Sequence, residues 1–190
     1  MSLESIIFYF KQRDLSGSEI DNLIGKMPVI YSDLEKFGNL SELLGKHNYA
    51  VILYQTSSRT TGHFVSISYD DDTDTIRFCD SYGLPMDSEF QYAAFDRRLP
   101  KYLSILVDKH IRNNPSFKFE FNTHDYQAKK ASVTTCGRYA SLFSLFHKVP
   151  LNRIHEMLRT NSSAFLSDPD NVACLLTLVG LNDIQDYFKK

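Results

Sequence analysis

Long apolar runs are missing from this chain of 190 residues. None approaches the ~18 residues that a membrane-crossing helix needs, so a membrane span is not expected. Cysteine is scarce: Cys79, Cys136 and Cys174 are far apart and odd in number. That excludes a disulfide framework, and no C-x-x-C pair points to zinc. The six histidines form no metal-ligand spacing; His147 and His155 are separated by Pro150, which breaks a shared helix face. Repeats, low-complexity tracts and Gly/Ser linkers are absent as well. The first ten residues include Glu4 and no basic n-region, unlike a secretory signal peptide. A soluble intracellular protein that is not secreted is the expectation.

What is present reads as one globular domain over residues 1–190. Apolar residues make up 43% and charged residues 23% of the chain, enough to bury a core. The net charge of −2 hides an asymmetry. Residues 1–96 hold 7 Lys+Arg against 15 Asp+Glu, and residues 97–190 hold 14 against 8. A basic side could attract an acidic partner, although ordinary solvated surface explains the same counts.

Ser16 and Glu19 have capping-box spacing, with Leu15 and Ile20 at staple positions, so a helix of roughly ten residues is predicted to end near Gly25. Ser32 and Glu35 repeat the cap spacing before a short helix. Tyr49 to Tyr54 is continuously apolar and reads as a buried strand. His63 to Tyr69 alternates, with Ser66 and Ser68 out of phase with Val65, Ile67 and Tyr69. Thr75 to Cys79 alternates too, and the acidic stretch Asp70 to Asp74 between them is a hairpin turn that lacks the Gly and terminal Glu of an EF-hand loop. Asp87 to Asn114 reads as mainly helical, with Pro100 in the first turn of its second helix. Phe117 to Phe121 is a strand. Helices are expected over Cys136 to Lys148, Arg153 to Arg159 and Asn171 to Val179, the last capped by Asp168 ahead of Pro169. Strands clustered between helical ends make the chain α+β, a small mixed central sheet flanked by helices.

Three residues carry reactive chemistry. Cys136 begins a helix, where the positive end of the dipole favours a thiolate. Gly137 follows it and would let a substrate carbonyl approach the backbone, where nearby amides can hold an oxyanion. His63 heads one strand and Asp80 ends the adjoining one; in a hairpin these ends are neighbours, and a carboxylate beside a histidine orients its ring. Cys79 and Cys174 read as core residues.

With these residues in place, the chain resembles a known family. Gly62-His63-Phe64, Asp80-Ser81-Tyr82-Gly83 and Thr135-Cys136-Gly137 look like the three motifs of the adenovirus-type (adenain-like) and ubiquitin-like-protein-specific cysteine proteases, whose order is His, Asp or Glu, Gln, Cys. The likeness spans roughly residues 15–147 and is strongest to the proteases of virophages and Maverick/Polinton-type elements. It departs at Phe64, where the family typically has tryptophan, and at Thr135, where many members have aspartate.

The resemblance implies an adenain/ubiquitin-like-protease-like fold and a peptide-bond hydrolase. Cys136 would be the nucleophile, His63 the general base and Asp80 its orienting carboxylate. Gln127, the only glutamine between Gln91 and Cys136, would complete an oxyanion hole with Cys136 and Gly137. It further implies cleavage beside small residues, above all glycine. The substrates would be capsid or other virion precursors, cut by a monomer in the virion and host-cell cytoplasm during maturation. The alternative target is a ubiquitin-like modifier, removed by an isopeptidase. A non-enzymatic scaffold is the third reading. No cofactor or metal is expected. DNA and peptide activators known in the family would find only Lys129, Lys130 and Arg138 here as weak phosphate contacts.

Overall fold

The computed structural model describes residues 2–56, 61–91, 98–159 and 165–178. The chain starts with a helix that the sequence reading passes over, α1 (Leu3–Lys11), whose N-cap Ser2 accepts from the Ser5 amide. The capping box then behaves as its residues dictate. Ser16 and Glu19 bond reciprocally, α2 runs Gly17–Ile24, and Gly25 closes it in the left-handed region at φ 71°. The Ser32/Glu35 cap does not form. That segment is a 3-10 turn, Tyr31–Lys36, with Ile30 at the cap position and no side-chain cap bond. The next helix, α3 (Leu40–Leu44), is capped by Asn39 instead.

A five-stranded mixed sheet forms the centre, in the order β1 (Val29–Ile30), β2 (Tyr49–Gln55), β3 (Gly62–Asp70), β4 (Thr75–Cys79) and β5 (Lys118–Phe121). The β2–β3 and β3–β4 pairs are antiparallel, while β1 and β5 join parallel at the two edges. Two further helices, α4 (Tyr102–Asn113) and α5 (Cys136–Leu145), cover opposite faces. The remaining helices are α6 (Leu151–Arg159) and α7 (Pro169–Leu178). Pro100 lies just ahead of α4, whose cap position is Lys101; residues 92–97 of the expected helical stretch, and Val179, lie outside the described residues. Asp168 caps α7 through the Asp170 amide at 2.9 Å. Among the described residues no helix is long and apolar enough to cross a membrane.

The unbroken apolar run in β2 has a simple cause: both of its faces are covered. Ala50, Ile52 and Tyr54 pack with Val65, Ile67, Ile76 and Phe78 against Tyr31, Leu34, α3 and α4. Val51 and Leu53 pack on the other face with Phe64, Leu15, Ile20 and the first turns of α5. The same layering covers both faces of β3, although its sequence alternates. Ser66 and Ser68 are buried, small side chains beneath a close-packed helix. β5 is the reverse case, an edge strand exposed along its whole length.

Gly62 is demanded by this sheet. A Cβ there would stand 1.8 Å from the Tyr54 carbonyl oxygen, so only glycine allows β3 to begin where it does. The next residue is His63.

Candidate active site

Hairpin register brings the first two candidate residues together. His63 pairs with Tyr54 across β2, and Ser66 with Cys79 across β4. One residue beyond that last pair, Asp80 falls on the same face as His63 and diagonal to it. His63 Nε2 lies 2.9 Å from Asp80 Oδ1. Asp80 is held firmly: its amide donates to Asn122 Oδ1, and its carbonyl accepts from Asn122 Nδ2, both at 2.7 Å. Its Oδ1 also accepts the Tyr82 amide at 2.7 Å. Tyr82 stacks on the His63 ring, centroids 5.0 Å apart. Gly83 turns the chain at φ 69°, with its Cα packed on the His124 backbone, where a Cβ would be 2.8 Å from the carbonyl carbon.

Cys136 arrives from the opposite layer as the first residue of α5. Its thiol lines the same cleft as His63 and acts on the ring's titration; with Nε2 on Asp80, Nδ1 is the nitrogen left for it. Burial works against a charged His63 ring. The hydrogen bonds to Asp80 and Cys136 and the charges of both outweigh that burial, so His63 titrates well above the ordinary histidine range. Cys79 and Cys174 are buried core thiols, and burial raises both, Cys174 to about 12.

Gln127 is buried, not a surface amide. Its Oε1 accepts from Ser81 Oγ at 2.8 Å, its amide donates to the Ser81 carbonyl at 3.0 Å, and its Nε2 donates to the Val133 carbonyl at 3.2 Å. A primary amide carries two N–H donors, so one remains beyond the bond to Val133. Gln127, His63 and Cys136 all line one cleft of about 440 Å³, with Tyr82, Glu89 and Lys129. The nine-residue gap from Gln127 to Cys136 is accommodated by an irregular loop tied down at both ends. Asp170, at the start of α7, accepts the Ala128 amide at 3.0 Å and the Thr135 hydroxyl at 2.5 Å.

Two expectations change. Gly137 is buried and does not line the cleft; a Cβ there would meet Leu15, Ile20 and Phe64 at 3.2 to 3.4 Å. Its missing side chain serves the packing of α5 on α2 and β3, not the approach of a substrate carbonyl. Arg138 is fully buried, its Nε donating to the Phe10 carbonyl and its NH1 to Thr177 Oγ1. It cannot reach a phosphate, and Lys129 is ion-paired with Asp125 at 2.7 Å.

Ser81, Asn122, Glu89 and Asp170 were not singled out in the sequence as site residues. Ser81 lies inside a motif that gives it no role of its own, the other three are ordinary polar residues outside any motif, and only proximity reveals their part. His63, Asp80 and Glu89 gather within 4.8 Å, as do Asp70, Asp71 and Asp72. In the first group the ring nitrogen is spent on Asp80. In the second, Arg77 and Lys148 neutralise the carboxylates. Neither is assigned as a metal centre.

Comparison with protein-family models finds no match. The chain is 23% identical over 177 residues to the uncharacterized protein V9 of Sputnik virophage, covering 90% of this chain and 97% of that one. Among solved structures it is similar to the C-terminal Ulp1 protease domain in complex with Smt3, the yeast ortholog of SUMO. That likeness has 15% identity, a TM-score of 0.45 and coverage of 89% of this chain and 78% of the other. ChlaDub1 from Chlamydia trachomatis gives 15% identity and a TM-score of 0.41, with 97% and 78% covered.

Proposed function

We propose that this protein is a cysteine peptidase with Cys136 as nucleophile, His63 as general base and acid, Asp80 as orienting carboxylate and Gln127 as an oxyanion donor. The observation that carries the reading is the His63 ring bonded to Asp80 at the wall of a cleft that Cys136 and Gln127 also line. His63 accepts the thiol proton, and the sulfur attacks the scissile carbonyl carbon. Negative charge on the carbonyl oxygen is met by the first-turn amide of Cys136, which has no partner inside its helix, and by the remaining Gln127 N–H. The tetrahedral intermediate collapses as His63 hands its proton to the leaving amine. Water, deprotonated by His63, then hydrolyses the thioester and regenerates Cys136.

The substrate we propose is a capsid or other virion precursor, cut beside a small residue such as glycine in the virion or host-cell cytoplasm. The near full-length likeness to a virophage protein supports a viral setting. The test is to incubate wild type and Cys136→Ala with capsid precursors and, separately, with proteins conjugated to a ubiquitin-like modifier. Precursor cleavage by wild type alone is the expected result. Cleavage by Cys136→Ala at the wild-type rate would end the peptidase reading, and cleavage confined to the conjugates would redirect it to deconjugation.

A further inference from the structure

Asp80 has one carboxylate oxygen accounted for and one not. Oδ1 takes the bonds from His63 and the Tyr82 amide. Oδ2 is buried with no hydrogen-bond donor among the described residues, and Glu89 Oε1 is in the same condition. The two groups are adjacent: the Asp80 and Glu89 ligand oxygens lie within 4.8 Å of each other and of the His63 ring nitrogen. Two oxygens that can only accept do not satisfy each other unless a proton lies between them.

The segment bearing Glu89 is pinned, so the contact is not a chance rotamer of a loose loop. Two residues earlier Asp87 sits at φ 61°, a conformation that costs a non-glycine residue energy. Its carboxylate repays that with four bonds. Oδ1 accepts the hydroxyls of Tyr31 and Tyr54 at 2.8 Å each, and Oδ2 accepts the Ser104 amide at 3.0 Å and its hydroxyl at 2.5 Å. Asp87 thereby fastens this stretch to β2 and α4, and Glu89 is presented to Asp80.

We propose that Glu89 is a positioning residue that stands protonated, donates its proton to Asp80 Oδ2 and so fixes the carboxylate that orients His63. The catalytic consequence rests on the peptidase reading above; the hydrogen bond does not. The groups facing Glu89 are His63 from β3, and Asp80 and Tyr82 from the segment after β4, with Asp14, Lys129 and Cys136 lining the same cleft. Burial keeps the Glu89 proton on up to about pH 7; the His63 charge opposes this, and the Asp80 charge and hydrogen bond reinforce it. A carboxyl raised in this way contributes its bond in full below its ordinary value of 4.5 and loses it as pH rises through about 7. Above that, donor becomes like-charge neighbour and Asp80 loses its support.

The experiment compares wild type, Glu89→Gln and Glu89→Ala. Glutamine can still donate to Oδ2 but does not titrate; alanine cannot donate. Glu89→Ala is expected to lose about 10- to 100-fold in kcat/KM, the scale of one lost charge-assisted bond, and Glu89→Gln less than about threefold. The rate of Cys136 alkylation by iodoacetamide, which needs no substrate, should fall through pH 7 in wild type but not in Glu89→Gln. Carbon NMR with side-chain-labelled glutamate should show one carboxyl titrating near 7 in wild type, absent from Glu89→Gln. Glutamates all ionised at pH 6, or a Glu89→Ala enzyme with wild-type rates and pH profile, would overturn the proposal. If wild type cleaves no substrate, the peptidase reading fails, while the NMR titration still decides whether the proton is shared.

Discussion

The β3–β4 hairpin carries a buried aspartate beside a buried basic side chain at each of its two ends, and the two ends are built for different purposes. At the turn end, Asp70 Oδ2 accepts from Arg77 NH1 at 2.9 Å and from the Thr73 hydroxyl at 2.7 Å, and its Oδ1 accepts the Asp72 amide at 3.1 Å. Arg77 makes two further bonds, to Glu120 and the His147 carbonyl. At the open end, Asp80 is equally buried, but its partner is a ring that can gain or lose a proton, and its second oxygen has no donor among the described residues. Both pairs are geometrically sound. The difference lies in the carboxylate: one with both oxygens bonded holds one structure, whereas one with an oxygen left over can change its surroundings' protonation state at low cost. That distinction marks the open end as the place for chemistry.

The largest effect that would sharpen the contrast belongs to Asp80→Asn. Losing the carboxylate should lower kcat by about 10³- to 10⁴-fold, as for other oriented histidines, and bring the His63 titration down toward the ordinary range. An activity assay and histidine NMR check both. The sign is fixed by the raised His63 value. The stability it contributes is present below the ordinary histidine pKa and lost as pH rises through the elevated one, and Asp80→Asn should flatten that dependence.

Asp70→Asn at the other end should leave kcat/KM within about twofold while costing about 3 kcal/mol in urea unfolding, because it strands Arg77 in the interior. Asp70 is held below the ordinary carboxylate range by its hydrogen bonds to Thr73 and Arg77, against the opposing pull of burial. Its stabilisation is therefore present above about pH 4 and lost as pH falls further. Unfolding curves of wild type and variant should converge at acid pH. A variant that lost activity but not stability would erase the distinction between the two ends.

Smaller effects probe how the open end is supported. Ser81→Ala removes the donor to Gln127 Oε1 and should cost about tenfold in kcat, with KM little changed, if Gln127 acts only in the transition state. Gly137→Ala should cost about 1 kcal/mol of stability by overpacking against Leu15, Ile20 and Phe64, with the catalytic constants nearly unchanged in a steady-state assay.

Much of the scaffold was legible because it follows from short-range rules. The capping box of α2, the β3–β4 turn and the helix starting at Cys136 are each specified by residues a few positions apart. Where short-range signals compete, tertiary contacts decided. Ser32 and Glu35 had cap spacing, but Tyr31 is drawn into the core to reach Asp87, and the segment tightens into a 3-10 turn. The two-residue strand β1 had no pattern long enough to read; it exists because β2 offers an edge.

For the candidate site, the sequence by itself determined the reactive types and their order: His63 at a strand head, Asp80 at the end of the next strand, and Cys136 at a helix start. Periodicity and capping are local, so they could place these residues on elements. Only the tertiary structure decided that Gln127 is buried beside them, that Gly137 serves packing, that Arg138 is locked in the interior, and that a Glu89 carboxyl oxygen lies within 4.8 Å of one from Asp80. Each depends on contacts between segments far apart in the chain, where burial and hydrogen-bond completion, and not local preference, set the outcome.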